Sequence, residues 1–129
     1  MFERDKLSIY KQVDVISRVE EASPHRLIQI LYESAISAVA EAKGALARGD
    51  VVLRGKQITR AMNILAGLRD SLDHKLETPL PHDLDRLYEY MQGRLQRAHL
   101  DAEAELLNEV LELLKTVKSG WDDIAPESQ

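Results

Sequence analysis

No cysteine occurs in the 129 residues, which excludes disulfides, thiolate metal sites and cysteine nucleophiles and fits a reducing compartment. Proline is also scarce, with four residues, and the prolines fall where helical patterning breaks: Ser23-Pro24, Thr78-Pro79-Leu80-Pro81 and Pro126. No uncharged stretch approaches the roughly 18 apolar residues that a membrane-spanning helix requires, so no membrane insertion is expected. The opening Met1-Phe2-Glu3-Arg4-Asp5-Lys6 mixes both charges and leads into no apolar run, which predicts no secretory signal peptide and a cytoplasmic protein. Basic residues are outnumbered, 17 against 22 acidic, for a net charge of -5. That balance opposes binding to phosphate backbones, and nucleic acid is not an expected partner. What is present is 44% apolar and 30% charged residues, enough of the first to close one core and too much of the second for a lipid environment.

Between the breaks, apolar positions advance by alternating steps of three and four, the period of amphipathic helices. Ser23 is placed to cap a first helix, with Pro24 at the position where a missing N–H costs nothing. The stripe of that helix reads Ile28, Tyr32, Ala35, Val39, Ala42, Leu46, and Gly49 supplies a left-handed stop. Asp50 then caps a second helix with stripe Ile58, Ala61, Leu65, Leu68, Leu72. A third, starting at Pro79 or Pro81, carries Leu84, Leu87, Met91, Leu95 and Ala98. A fourth, with Asp101 as its cap, carries Leu107, Val110, Leu114, Val117, Trp121 and Ile124. The pattern predicts an all-α fold, an antiparallel four-helix bundle over residues 23–125. Residues 1–22 keep neither period for long and read as an N-terminal arm that packs on the bundle or covers a groove in it.

Catalytic patterns are missing. A di-metal bundle needs Glu-x-x-His pairs, but the residues three before His25, His74, His82 and His99 are Ala22, Ser71, Pro79 and Gln96. No metal and no cofactor is assigned. A histidine phosphotransfer bundle needs a basic residue about one turn after its histidine; Ile28, Glu77, Asp85 and Ala102 stand there instead. Gly49 to Lys56 resembles a phosphate-binding loop only superficially, because the spacing and the following hydroxyl residue are wrong. No nucleophile elbow is found. The chain is expected not to be an enzyme.

The apolar surface is wider than one bundle seam requires. At 100° per residue, Leu27 lies about 100° from the first stripe's centre and Ile30 about 160°. Leu53 and Ile64 on the second helix, Tyr90 on the third, and Leu111 and Leu113 on the fourth lie roughly 70 to 120° from theirs. Two readings follow. Broad stripes with leucines filling the corners would be the ordinary one. A groove for a guest amphipathic segment would be the functional one. On the second reading Ile30 points away from the seam, and Ile30→Asp should spare the fold while weakening the guest.

The ordered motifs Ser23-Pro24-x-x-Leu27-Ile28-x-x-Leu31-Tyr32-Glu33-x-Ala35-Ile36, Leu84-x-x-Leu87-Tyr88-x-Tyr90-Met91-x-x-x-Leu95 and Val110-Leu111-x-Leu113-Leu114 to Trp121 resemble the FliS family of flagellin export chaperones. The likeness runs from about Tyr10 to Ile124. Two departures stand out: Thr78-Pro79-Leu80-Pro81 occupies the loop where the family often has Gly-Gly, and Ala98-His99 replaces a frequent Ala-Asn. The resemblance implies a cytoplasmic chaperone that binds the C-terminal segment of flagellin, prevents premature polymerisation and helps deliver it to a flagellar type III export gate component. An adaptor or chaperone for another export substrate or for a flagellar regulator is the alternative, and phosphotransfer a distant third. Tyr10 matches the family's N-terminal aromatic, a candidate contact beside the groove. Leu27, Ile30, Leu31, Ile64 and Tyr90 join it as candidate partner-binding residues from their place around the helices. Tyr32, Tyr88 and Trp121 lie nearer the seams and are read as structural.

Overall fold

The computed structural model describes residues 23–124, which form four helices: α1 Pro24–Arg48, α2 Val51–Asp70, α3 Leu80–Asp101 and α4 Ala104–Asp122. No strand occurs among the described residues. Each helix packs on two neighbours, α1 on α2 and α4, and α3 on α2 and α4, closing a ring around one core. Contacts between opposite helix ends show the antiparallel order. Arg54 at the start of α2 meets His99 at the end of α3, Arg69 at the end of α2 meets Asp85 at the start of α3, and His25 at the start of α1 meets Trp121 at the end of α4.

Local chemistry sets the boundaries. The Ser23 hydroxyl accepts from the Arg26 amide at 3.1 Å, Pro24 follows in the first turn, and Gly49 ends α1 at φ 72°. One residue later the Asp50 carboxylate accepts from the Leu53 amide at 3.1 Å and opens α2. Pro79 stands just outside α3 and Pro81 within its first turn, so the long connection from Ser71 ends where the second proline no longer needs a donor. The expected cap at Asp101 is corrected: Asp101 is the last residue of α3, and Ala102 makes the turn at φ 52°. Glu103 then precedes α4 without a side-chain cap bond. With only two residues between helices, the reversal needs a left-handed residue, and Ala102 takes a conformation that glycine or asparagine adopts more readily. Ile124 lies beyond the end of α4 and is exposed, so it does not continue that helix's stripe.

The core is mainly aliphatic, with small residues on α1. Ala35, Ala38, Ala42 and Ala45 are fully buried there beside Val39. Such short side chains let neighbouring backbones approach closely. Across the diagonal of the ring, Tyr32 of α1 and Tyr88 of α3 meet in the interior and share a hydrogen bond between their hydroxyls. Burial pushes both phenols above their ordinary pKa, so both stay neutral and each hydroxyl satisfies the other. The structural reading of this pair is therefore met. Trp121 is half-buried and closes one end of the bundle: its Nε1 donates to the His25 carbonyl at 2.9 Å, and the two rings stack with centroids 4.9 Å apart.

Removing one hydroxyl of a buried pair is worse than removing both, because the survivor keeps its desolvation cost. Tyr88→Phe should destabilise the bundle by about 1–3 kcal/mol. Tyr32→Phe combined with Tyr88→Phe should cost less than the sum of the two single changes, as a denaturant double-mutant cycle would show.

Candidate partner-binding surface

The six candidate residues do not form one surface. Ile30, at 2% exposure, and Leu31 and Ile64 belong to the core cluster, which corrects the expectation that they face outward. The cause is rotational. The sequence stripe of α1 was centred between Tyr32 and Ala42, whereas the buried set also contains Ser34, Ala38 and Ala45. Including these turns the buried centre toward Leu31 and widens the arc to about 200°, from Ile30 round to Tyr32. An inner helix flanked by two neighbours needs that width. On α2 the buried Gln57 shifts the centre the same way and brings Ile64 inside. Leu111 of α4 is buried too, and Leu53 and Leu113 are half-buried, so they fill flanks and are not free surface.

Two candidates stay accessible. Leu27 is half-buried against the core at the start of α1. Tyr90 is 43% exposed on α3 and is held in place at the α3–α4 seam. Its hydroxyl donates to Glu109, while Arg94 Nε donates to that hydroxyl at 2.9 Å and to Glu109 Oε1 at 3.0 Å. The Arg94 guanidinium also lies over the ring, 5.1 Å from its centroid. Such an aromatic is pre-positioned and loses little freedom when something packs on it. Tyr10 lies outside the described residues.

The α2–α3 seam carries surface features that the stripe arithmetic did not bring out. Polar rungs tie the two helices. Arg69 grips Asp85 through Nε at 2.7 Å and Nη2 at 3.2 Å, and its Nη1 donates to Gln92 Oε1 at 3.0 Å. Gln92 Nε2 in turn donates to the Met62 carbonyl at 3.2 Å. The hydrogen bond from Arg69 holds the Asp85 carboxyl below its usual range. At the far end Arg54 donates to His99 Nδ1 at 3.3 Å and to the His99 carbonyl at 3.2 Å. Gly55 makes this contact possible, since a Cβ there would stand 3.1 Å from the imidazole. The departure to His99 thus has a local partner in Gly55. Around this end sit Val51, Val52 and Leu100, three large apolar side chains left in water, with Val52 83% and Leu100 74% exposed. Leu100 is about 180° from the centre of the α3 stripe, so the same arithmetic that singled out Tyr90 points to it as well.

Among the described residues no helix is long and apolar enough to cross a membrane, and no cluster of histidine and carboxylate residues is arranged to hold a metal ion.

A ring of four antiparallel helices around a closed aliphatic core is a small four-helix bundle. Comparison with known proteins specifies which kind. The model of the family described as "Flagellar protein FliS" matches residues 6–128, and the chain belongs to that family, whose members are chaperones and not enzymes. The "Flagellar secretion chaperone FliSB" of Pseudomonas aeruginosa is 42% identical over 125 residues, covering 97% of this chain and 99% of that protein. The "Flagellar secretion chaperone FliS" of Salmonella typhimurium is 37% identical over 129 residues, with 99% and 96% covered. Its namesake in Vibrio cholerae is 32% identical over 124 residues, with 96% and 91% covered.

Two outcomes test this geometry. Ile30→Asp, which places a carboxylate in the core, should destabilise the fold by more than about 3 kcal/mol, measured by chemical denaturation. Asp85 adds a pH dependence whose sign is fixed by its depressed pKa: its contribution is present above the ordinary carboxylate range and is lost as pH falls through the lower folded value. Asp85→Asn should therefore flatten the fall in melting temperature between about pH 5 and pH 2.

Proposed function

We propose that this chain is a cytoplasmic chaperone that binds the C-terminal segment of flagellin, keeps it from polymerising before export and helps present it to a component of the flagellar type III export gate. The observation that carries this reading is the near full-length match to the FliS family together with a 42% identical flagellar secretion chaperone. The surface supports it physically. The described residues leave seven large apolar side chains exposed around a core that is already closed, so these side chains are available to a guest without opening the fold. A polypeptide that becomes ordered only in its final assembly exposes apolar residues beforehand, and a carrier gives them temporary cover. Ordering such a guest costs about 2–5 kcal/mol or more of the gross interaction, which favours an extended contact over a single deep pocket.

In this reading Tyr10, Leu27 and Tyr90 are contact residues. Ile30, Leu31 and Ile64 hold the bundle that displays them. Leu27 near one end of α1 and Tyr90 on α3 sit on different helices of the ring, so a guest reaching both follows the outside of the bundle. The -5 net charge keeps the carrier soluble while unloaded.

Isothermal titration calorimetry with a flagellin C-terminal peptide should give saturable binding with a negative heat-capacity change, the mark of apolar burial. No binding at high micromolar peptide would contradict the proposal. A pull-down that recovers a different export substrate, equally from cells with and without flagellin, would favour the adaptor reading.

A further inference from the structure

The three connections of the bundle are not alike. Gly49 and Asp50 separate α1 from α2, and Pro79 stands before α3 with Pro81 in its first turn, so at both places the sequence itself stops a helix. Between α3 and α4 the chain reads Asp101-Ala102-Glu103-Ala104-Glu105, without glycine or proline. Alanine and glutamate are good helix formers, yet the backbone reverses there through Ala102 at φ 52° and enters α4 without a side-chain cap. Local preference and the observed turn are in conflict. Leu100 carries a second sign. It is 74% exposed and points away from the α3 stripe. Were the turn helical, Leu100 would lie about 30° from the centre of the buried set of α4, Leu107, Val110, Leu111 and Leu114. Leu100, Ala104, Leu107, Leu111 and Leu114 then advance by steps of four, three, four and three, one unbroken apolar stripe. The α4 stripe therefore begins in the last turn of α3, on the far side of the reversal.

We infer that this turn is a hinge through which two copies of the chain swap α4. In the swapped pair α3 and α4 run on as one helix from Leu80 to Asp122, and α4 of each copy packs on α1 and α3 of the other. The contacts that close each bundle are those of the single chain: the Tyr90, Arg94 and Glu109 cluster and the His25–Trp121 stack re-form with residues from both copies. What differs is the hinge. Swapping relieves the left-handed alanine and adds helical hydrogen bonds that the turn lacks, from the Ala104 amide to the Leu100 carbonyl among them. It also carries Leu100 onto the apolar side of α4. Short connections under strain favour this kind of assembly, and a second copy is the occupant because the same sequence supplies a helix that fits the vacated place. Since α4 must leave the core to move, the two forms are set as the chain folds and interconvert slowly.

The test refolds the full chain from denaturant at micromolar and at millimolar concentration, with size exclusion and light scattering as the readout and circular dichroism on every variant. Wild type should give a dimer at the higher concentration that persists for hours after dilution. Ala104→Pro should keep wild-type helicity and cut the dimer fraction at least tenfold. In the single chain Ala104 is the first residue of α4 and follows an extended Glu103, at φ -102° and ψ 109°, a setting that proline accepts. In a continuous helix the same proline removes a hydrogen bond and meets the Leu100 carbonyl. Ala102→Gly, which suits the left-handed turn, should cut the dimer fraction several-fold, and it carries the test alone should the proline variant fail to fold. The place of α4 is read with Arg94→Cys combined with Glu109→Cys, because the chain has no other cysteine and a short bismaleimide can join the two positions. In the isolated dimer the crosslinks should run between chains. Crosslinks within chains alone would show a surface dimer and overturn the inference. A wild type that stays monomeric at millimolar concentration, or a dimer fraction that both variants leave within twofold, would overturn it as well.

Discussion

Burial of α1 on two sides at once is the constraint on which the rest of the molecule depends. The helix packs against both α2 and α4, and it buries an arc of about 200° instead of the narrower stripe of a surface helix. Alanines at 35, 38, 42 and 45 keep the neighbours close, and Ile30, Leu31 and Tyr32 close the width of the arc within one turn. With that helix fixed, the remaining polar contacts fall at the periphery: a ring stack at one end, arginine rungs between α2 and α3, and the Tyr90, Arg94 and Glu109 cluster between α3 and α4. In the interior the Tyr32–Tyr88 hydroxyl pair joins helices that otherwise stand across the ring from each other.

This division of labour bears on function. A carrier for an unfolded polypeptide has to show apolar surface without losing its own core. Here the two are separate sets of residues. The core is aliphatic and closed, and the displayed side chains are few and held at helix ends or by polar neighbours, as Tyr90 is by Arg94 and Glu109.

Much of the architecture was legible in the sequence because its signals are local. The Ser23 and Asp50 caps, the Gly49 stop and the period of each stripe depend on neighbours within one or two turns, and each appears as expected. The candidate site was less legible because exposure is a property of the whole assembly. Ile30 and Tyr90 looked alike as off-stripe apolar residues, yet Ile30 is buried and Tyr90 is not. What separates them is how wide an arc each helix buries, which on α1 is set by alanines that belong to the buried face. Small residues carry little hydrophobic signal, so Ala38 and Ala45 were left out of the stripe although both have no exposed surface. The turn at Ala102 was hidden for a related reason, since nothing about an alanine announces a left-handed conformation.

The central claim is that the guest is taken up on the outside of a core that stays shut. Hydrogen–deuterium exchange of the full chain, alone and with monomeric flagellin, tests it most directly. The account predicts added protection around Tyr90, with the slow exchange of α1 unchanged. Faster exchange in α1 on binding, or no added protection on α3, would contradict it.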